Sequence, residues 1–379
     1  MINDDFWAGG EPVPYPNDWE GKPAYLPFDP NHPSWQRMTR WDDLGPNGER
    51  LRSIETKWVY MSPLTDWKIW HLHGPFRGRE GVVMAKQLEG IMQPDFEIRY
   101  SAGPYTIGET PERIDYKKRA ISFGAVVNAN GNPDRIEEPT AFSYRMIEQQ
   151  WWASWSEEVY GFLGCFTRTH GWRWLRVIQG EATKTALAID PVANGNNSQT
   201  WNMVAHAPYP FYSKKALTGV WRASQDQVDV HGIAQGIIPM ANRGTWESHP
   251  KYLVRGTGTA QVQDGIGGRM ITLPKMYPED GAYMLVDTDP TKRTITTEKD
   301  PVDTQLYKYM RNAQLLEVLL PDVYEVAASK LPAQRRIPGG LGFDGKIPPR
   351  TVAQLKVSHS NPRGSITCIM PQHYRMPWA

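Results

Sequence analysis

The stretch from Asn242 to Thr297 limits this chain more than any other. Short runs able to form strands are cut off by turn residues roughly every 8–12 positions. Lys251–Val254 ends at Arg255-Gly256, and Arg269–Leu273 stops at Pro274. Ala282–Val286 runs into Asp287-Thr288-Asp289-Pro290, and Thr294–Thr297 is β-branched at every position. Short strands at this spacing predict an antiparallel sandwich or barrel.

The same reading extends along the chain. Its 379 residues suffice for two or three domains, at roughly 100–200 residues each. Gly (33) and Pro (32) make up about one residue in six, against an average of roughly 12%, which favours a loop-rich β protein over a helical bundle. Strands are expected at Thr56–Met61, Trp67–His71, Gly81–Met84, Phe96–Tyr100 and Ala120–Asn128. Phe96–Tyr100 alternates apolar and charged residues, as a half-buried strand does. Gly124 is read as a bulge. Further strands are expected at Trp172–Ile178, Lys184–Ile189, Thr200–His206, Thr351–Ser358 and Gly364–Met370. Asp303–Asn312 reads as a short helix, and Pro332–Pro349 as a Gly- and Pro-rich loop insert.

One long helix is expected, over 142–163. Ile147, Trp151, Trp155, Val159 and Phe162 recur at spacings of 4, 4, 4 and 3, so they would form one core-facing stripe. Thr140 or Ser143 would cap its start, and Gly161 or Gly164 its end. A single helix covering one face of a sheet is the economical arrangement.

Residues 1–50 lack periodic apolar positions but carry Phe6, Trp7, Tyr15, Trp19, Tyr25 and Phe28. They read as an extended arm that packs on its own domain or on a neighbouring subunit. Residues 51–215 and 216–379 read as two β domains.

The 42 basic and 41 acidic side chains leave a net charge of +1, without the basic excess that a wrapped nucleic acid requires. The start, Met-Ile-Asn-Asp-Asp, lacks the basic and apolar regions of a secretory signal. No apolar run approaches the roughly 18 residues of a spanning helix. Synthesis in a cytoplasm without membrane insertion is expected. Cys165 and Cys368, far apart in sequence, read as buried thiols. Sixteen Trp residues point to cores or large interfaces, with sugar-stacking platforms as the other reading.

Three constellations invite a chemical reading. His71 and His73 would share one face of a strand, the start of a metal pair, but no third ligand stands at a fixed spacing. Asp264, Asp280, Asp287, Asp289 and Glu298 could ligate calcium or act as paired carboxylates. The Asp-x-Asp at 287–289 lacks an EF-hand's Gly and closing Glu, so turn-forming Asp is the simpler account. Gly265-Ile266-Gly267-Gly268 has no helix after it, so it reads as a hairpin turn and not as a phosphate cradle. No catalytic, metal, cofactor or nucleic-acid-binding residues are assigned.

The order of these features resembles that of siphophage distal tail proteins. The resemblance rests on Asn242 and Gly244, Pro250 opening a strand, and a strand ending at Gly256. A Gly-containing hairpin, a strand with Leu273 and a strand ending in Asp287-Thr288 follow. Phe142 and Tyr144 ahead of a Trp-rich helix, Gly171-Trp172-Arg173 opening a strand, and the segment 204–213 extend it toward the N-terminus. The ending His373-Tyr374-Arg375-Met376-Pro377-Trp378 is similar to tail proteins of actinobacteriophages.

The resemblance implies a mainly β chain. A tail-tube-like β-barrel or sandwich with one flanking helix would be followed by a galectin-like sandwich. It implies a non-enzymatic virion component at the tail tip, in which six copies form a ring joining tail tube to hub. Its partners would be itself, the tail tube protein and the hub or tail-associated protein, with the tape measure and DNA passing through the lumen. The alternative is a carbohydrate-binding adhesin on the tail tip.

Overall fold

The computed structural model describes the strand pair at residues 7–8 and 11–12, and then residues 56–378 apart from 75–76, 86–87, 104–106, 130–140, 168, 184–189, 194–196, 231, 293, 300–332 and 339–341. The remainder of the expected N-terminal arm, the strand at Lys184–Ile189, the helix at Asp303–Asn312 and the candidate cap Thr140 lie outside the described residues.

The chain is mainly β. In order, the strands are β1 (Trp7–Ala8), β2 (Glu11–Pro12), β3 (Lys57–Met61), β4 (Ile69–His73), β5 (Val82–Met84), β6 (Phe96–Ser101), β7 (Thr110–Tyr116) and β8 (Arg119–Asn128). The helix α1 (Ala141–Ala153) follows. Then come β9 (Gly161–Thr167), β10 (Gly171–Gln179), β11 (Ser198–Ala207), β12 (Tyr212–Arg222) and β13 (Ala234–Asn242). The last seven are β14 (Lys251–Arg255), β15 (Ala260–Gln263), β16 (Met270–Thr272), β17 (Tyr283–Asp287), β18 (Ile295–Thr297), β19 (Thr351–His359) and β20 (Ser365–Tyr374). The registered strand pairs are all antiparallel, and no sheet closes into a barrel among the described residues.

Two compact units result. One holds residues up to Lys215 together with Tyr374–Ala379, and the other runs from Ala216 to His373. The chain passes from the first to the second inside β12 and returns inside β20.

In the first unit β8 pairs β5 and β11, and β11 pairs β10. β10 also pairs β9, which pairs β3, which pairs β4. α1 lays Tyr144, Ile147 and Trp151 into a core shared with Trp58, Tyr60, Trp70, Phe123, Leu163 and Val177. The β8–β11 register runs unbroken through Gly124 opposite Asn202, so the expected bulge is absent. A side chain at Gly124 would meet Ala85 Cβ at 2.9 Å, and close packing explains the glycine.

The helix corrects the sequence reading at its C-terminal end. α1 stops at Ala153, where the Ser154 hydroxyl donates to the Trp151 carbonyl at 2.6 Å. Ser156 Oγ then accepts the amides of Glu158 and Val159 at 3.0 and 3.1 Å. Such local side-chain bonds offer the backbone an alternative to the helix. Trp155 lies just past the helix yet remains buried. Val159 is exposed, and Phe162 sits on β9. Apolar residues crowd β9 on both faces, so a stripe with helical spacing runs into it by coincidence. Ser143, offered as a cap, is inside the helix. Gly161 and Gly164 belong to β9, where Cβ atoms would strike Tyr60 at 2.4 Å and Trp174 at 2.5 Å.

β6 and β7 stand apart as a two-stranded sheet. β6 alternates as expected, but five of its six residues are exposed, with only Ile98 intermediate, because no second layer among the described residues covers it. The half-buried expectation for Phe96–Tyr100 is therefore wrong.

The second unit is a sandwich. One sheet runs β13-β19-β15-β16, and the other places β20 between β14 and β12, with β17 and β18 beyond β14. Ile238, Val262, Leu355 and Val357 from the first meet Tyr252, Val254, Val286, Ile366 and Met370 from the second. The short runs read between Lys251 and Thr297 supply Tyr252 and Val254 of β14, Met284 and Val286 of β17 and Ile295 of β18 to this core.

Candidate functional site

The helix residues singled out from sequence lead to a cluster of rings. Trp155 stacks on Tyr60 with centroids 4.0 Å apart and planes 5° from parallel. Trp151 meets Trp70 at 5.2 Å, Trp155 at 5.5 Å and Tyr60 at 5.9 Å, each time edge to face, the geometry that ring quadrupoles favour. Ile147 joins the same core. Phe162 reaches a different neighbour, Trp67, at 5.8 Å. The Tyr60 hydroxyl donates to the Ser154 carbonyl at 2.7 Å, which fixes the end of α1 to β3. Burial pushes the Tyr60 hydroxyl pKa upward. These residues brace the first unit's fold.

The candidate chemical groups are held in structural roles. His71 is buried, not at the surface. Its Nδ1 lies 2.8 Å from one Glu80 oxygen, and its backbone amide donates to the other at 2.8 Å. His73 is exposed, so the two histidines do not form a metal pair. Glu80 was not singled out from sequence. Its partner is set by the 77–81 turn, which folds the carboxylate back onto β4.

The five acidic residues also separate. Asp280 accepts two bonds from Arg336, at 2.6 and 2.9 Å, and one from the Tyr277 amide at 2.8 Å. Asp264 accepts the amides of Asp344 and Gly345 at 3.1 and 2.8 Å, which pins part of the 332–349 segment. Asp287 accepts the Asp289 amide at 3.1 Å and faces Lys251 at 3.3 Å. Asp289 accepts both the amide and the hydroxyl of Thr291, at 2.9 and 2.7 Å. Burial alone would raise its pKa, but these two bonds together with nearby His249 and Lys292 outweigh it and hold the carboxyl below its usual range. Glu298 accepts the Ala282 amide at 2.6 Å. Turn-forming Asp is thus the account that fits. No group of three or more His, Cys, Asp or Glu able to hold a metal occurs among the described residues.

Gly265 and Gly267 adopt φ of 65° and 69° in the turn joining β15 to β16, which is closed by the Asp264 amide on the Arg269 carbonyl at 2.9 Å. Cys165 and Cys368 are buried and unbridged, and burial pushes both thiols up. No described helix is long and apolar enough to cross a membrane.

Sequence reasoning missed a pair of buried arginines that hold the last residues of the chain. Arg119 donates to the carbonyls of Pro210, Gly90 and Arg375 at 2.9, 2.9 and 2.7 Å. Arg173 donates to the Met376 carbonyl at 2.7 Å and lies over the Tyr374 ring at 3.9 Å. Burial lowers the pKa of both guanidiniums, and the carbonyls replace the lost water. Trp378 meets the edge of Trp58 at 6.4 Å. From Tyr374 on, the ending noted in the sequence is therefore an integral part of the first unit. The available signal was an Arg between two tryptophans in a strand, a position where a long side chain must find internal acceptors.

No family profile and no curated protein matches the chain. Several solved structures are similar to it. The SPP1 Dit protein, described as a paradigm of the hub adsorption apparatus in phages infecting Gram-positive bacteria, matches over 83% of this chain and 98% of its own. The identity is 10% and the TM-score 0.46. A chain of the phage P2 baseplate in its activated conformation with Ca matches over 84% of this chain and 98% of its own, at 8% identity and a TM-score of 0.46. The same baseplate with Sr gives the same values.

Proposed function

We propose that this chain is a structural component of a siphophage tail tip, the distal tail protein that joins tail tube to hub. The observation that carries the reading is the order of motifs in one chain. A Trp-rich helix braces a first β unit. The Asn242–Gly244, Pro250, Gly256 and Asp287-Thr288 pattern then falls at the turns and strand ends of a second. Six copies would form a ring, with the tail tube protein on one face and the hub or tail-associated protein on the other. The tape measure and then DNA would pass through the lumen. The protein would be made in the host cytoplasm and end in the virion. Buried acidic groups that serve as turn and ion-pair anchors suit a scaffold role. The adhesin alternative needs an exposed aromatic platform on the sandwich; of its two described tryptophans, Trp221 is buried in the core and Trp246 is half-buried.

Electron microscopy of particles labelled with an antibody to this chain tests the reading. Label at the tail end distal to the capsid is expected. Label along the tube, or none on the particle, overturns it. Binding on a glycan array would favour the adhesin.

A further inference from the structure

One sheet of the second unit carries an apolar row on its outer face. Outward side chains alternate with those that fill the core. On β14 the outward residues are Lys251, Leu253 and Arg255, and on β17 they are Tyr283, Leu285 and Asp287. Leu253 stands opposite Leu285 on one side and Thr367 of β20 on the other, and Leu285 stands opposite Thr296 of β18. On β12 the core position of Trp221 turns Val220 and Arg222 outward. Val220 and Leu285 remain 57% and 44% exposed. On the outer face of the other sheet Ile237 stands opposite Lys356 and Val352 opposite Ala241, so no such row forms there.

The row has a cationic border on one side. Arg255 stands opposite Tyr283 and Ser365, with no acid across from it. The Ala223 amide donates to the Gly364 carbonyl at 2.9 Å, so Arg222 and Arg255 flank Ser365. On the other side Lys251 is neutralised by Asp287 at 3.3 Å. We propose that residues 304–320 of the same chain dock on this row as a helix. The helix expected at Asp303–Asn312 continues on spacing to Leu320. Leu306, Tyr309, Met310, Ala313, Leu316 and Leu320 form one stripe, Asp303 suits the cap, and Pro321 ends the run. Lys308 and Arg311 fall on the opposite side. The stripe's one charge is Glu317, the sole acid between 304 and 320, and its sign matches the arginine border.

The ends of the segment select this face. Residues 300–332 lie outside the described set, but both of their anchors are described and both meet Asp280. The Lys299 amide donates to the Asp280 carbonyl at 3.0 Å, and Arg336 donates to the Asp280 carboxylate at 2.6 and 2.9 Å. The turn at Ala333–Arg336 lies against β18, the edge strand of the same sheet. The lengths agree as well. From β18 to β12 the row crosses strands about 4.8 Å apart, roughly 19 Å in all, and a helix over 304–320 would run about 25 Å. The stretch 321–332 extends to roughly 40 Å, enough to return to Ala333.

Amide hydrogen exchange on the full chain, read by mass spectrometry, tests this. Residues 304–320 are expected to exchange at least about tenfold more slowly than in a free peptide of the same sequence. Val220→Thr/Leu285→Thr alters only exposed side chains and keeps strand propensity. It should remove that protection while β19 exchanges as before. Arg222→Glu/Arg255→Glu should weaken the protection, and adding Glu317→Arg should restore it. Should β19 also loosen in the threonine pair, the charge-reversal rescue decides alone. Wild-type residues 304–320 that exchange as fast as the free peptide overturn the inference. Protection that survives both sheet variants places the segment elsewhere and overturns it too. Protection that rises with protein concentration gives the face to a second copy and overturns the contact within one chain. Charge reversal that Glu317→Arg does not rescue overturns the match between segment and border.

Discussion

The two units fill their cores with different materials. The first is packed with rings, Tyr60, Trp70, Tyr144, Trp151, Trp155 and Trp58 among them. The second is packed with Ile, Val, Leu and Met, with Trp221, Tyr252 and Phe343 as its large rings. The difference follows from what each core must span. Two sheets of a sandwich pack about 10 Å apart, and branched aliphatic side chains fill that gap. In the first unit a lone short helix packs on the sheet through Tyr144, Ile147 and Trp151. Large rings that meet edge to face there hold the helix in one orientation. A single truncation should therefore cost the first unit more than the second.

Trp155→Ala is expected to have the largest effect, a loss of about 3–5 kcal/mol. It removes a ring stacked on Tyr60 and in contact with Trp151 and Phe123. Leu355→Ala, at a buried position of the sandwich, should cost less than this within the range of about 2–5 kcal/mol. Denaturant titration checks the pair. Fluorescence follows the first unit, because among the described tryptophans only Trp221 and Trp246 belong to the second. An equal loss in both variants would mean that the rings add nothing beyond buried area.

The same contrast decides what the sequence could show. From β14 to β18 the strands of the second unit are short and are separated by turns rich in Gly, Pro and Asp. Lys251–Val254, Ala282–Val286 and Thr294–Thr297 consequently match β14, β17 and β18 to within a residue or so. In the first unit the start of α1 and the burial of Ile147 and Trp151 were legible from spacing. Its end was not, because Ser154 and Ser156 terminate it through local hydrogen bonds while apolar residues continue into β9. The Phe96–Tyr100 strand was legible, but its exposure was not, since alternation says which residues share a face and not whether anything covers it. Long-range partners were invisible. Nothing near Arg119 in sequence announces the carbonyls of Pro210 and Arg375, and Glu80 gives no sign of His71.

The units should also respond to pH in different windows. Lys57, on β3 of the first unit, is 2% exposed, and burial lowers its pKa from 10.5 to about 7. The unfolded chain therefore binds a proton that the folded one gives up between these values, and stability rises as pH rises from about 7 toward 10.5. Its alkyl stem and ammonium lie by the Phe166 ring, 5.9 Å from the centroid. Lys57→Met keeps the stem's bulk. It should stabilise the first unit at pH 7 by on the order of 2 kcal/mol and flatten the rise. Thermal melts of both proteins at pH 7 and pH 10 check this, and a parallel rise in the two would assign the slope to another group.

The second unit's counterpart is His373 on β20, and its effect is the smallest. Desolvation of the ring, reinforced by Lys251, His249 and Lys292 and opposed by Asp289, lowers its pKa from 6.5 to about 4. The folded state thus keeps the imidazole neutral where the unfolded chain protonates it. This contribution to stability is full above pH 6.5 and is lost as pH falls toward 4. Partial exposure of the side chain limits the loss to on the order of 1 kcal/mol. Other groups titrate in the same range, so the useful quantity is the difference between wild type and His373→Gln. That difference should shrink by about this amount between pH 7 and pH 4.5 in denaturant midpoints read by a probe in the second unit. The Lys57→Met difference should change by no more than about 0.4 kcal/mol over the same interval, because Lys57 is half charged in the folded state at pH 7 and charged in both states below it. If instead Lys57→Met moves between pH 7 and 4.5 while His373→Gln does not, the two windows are assigned to the wrong units.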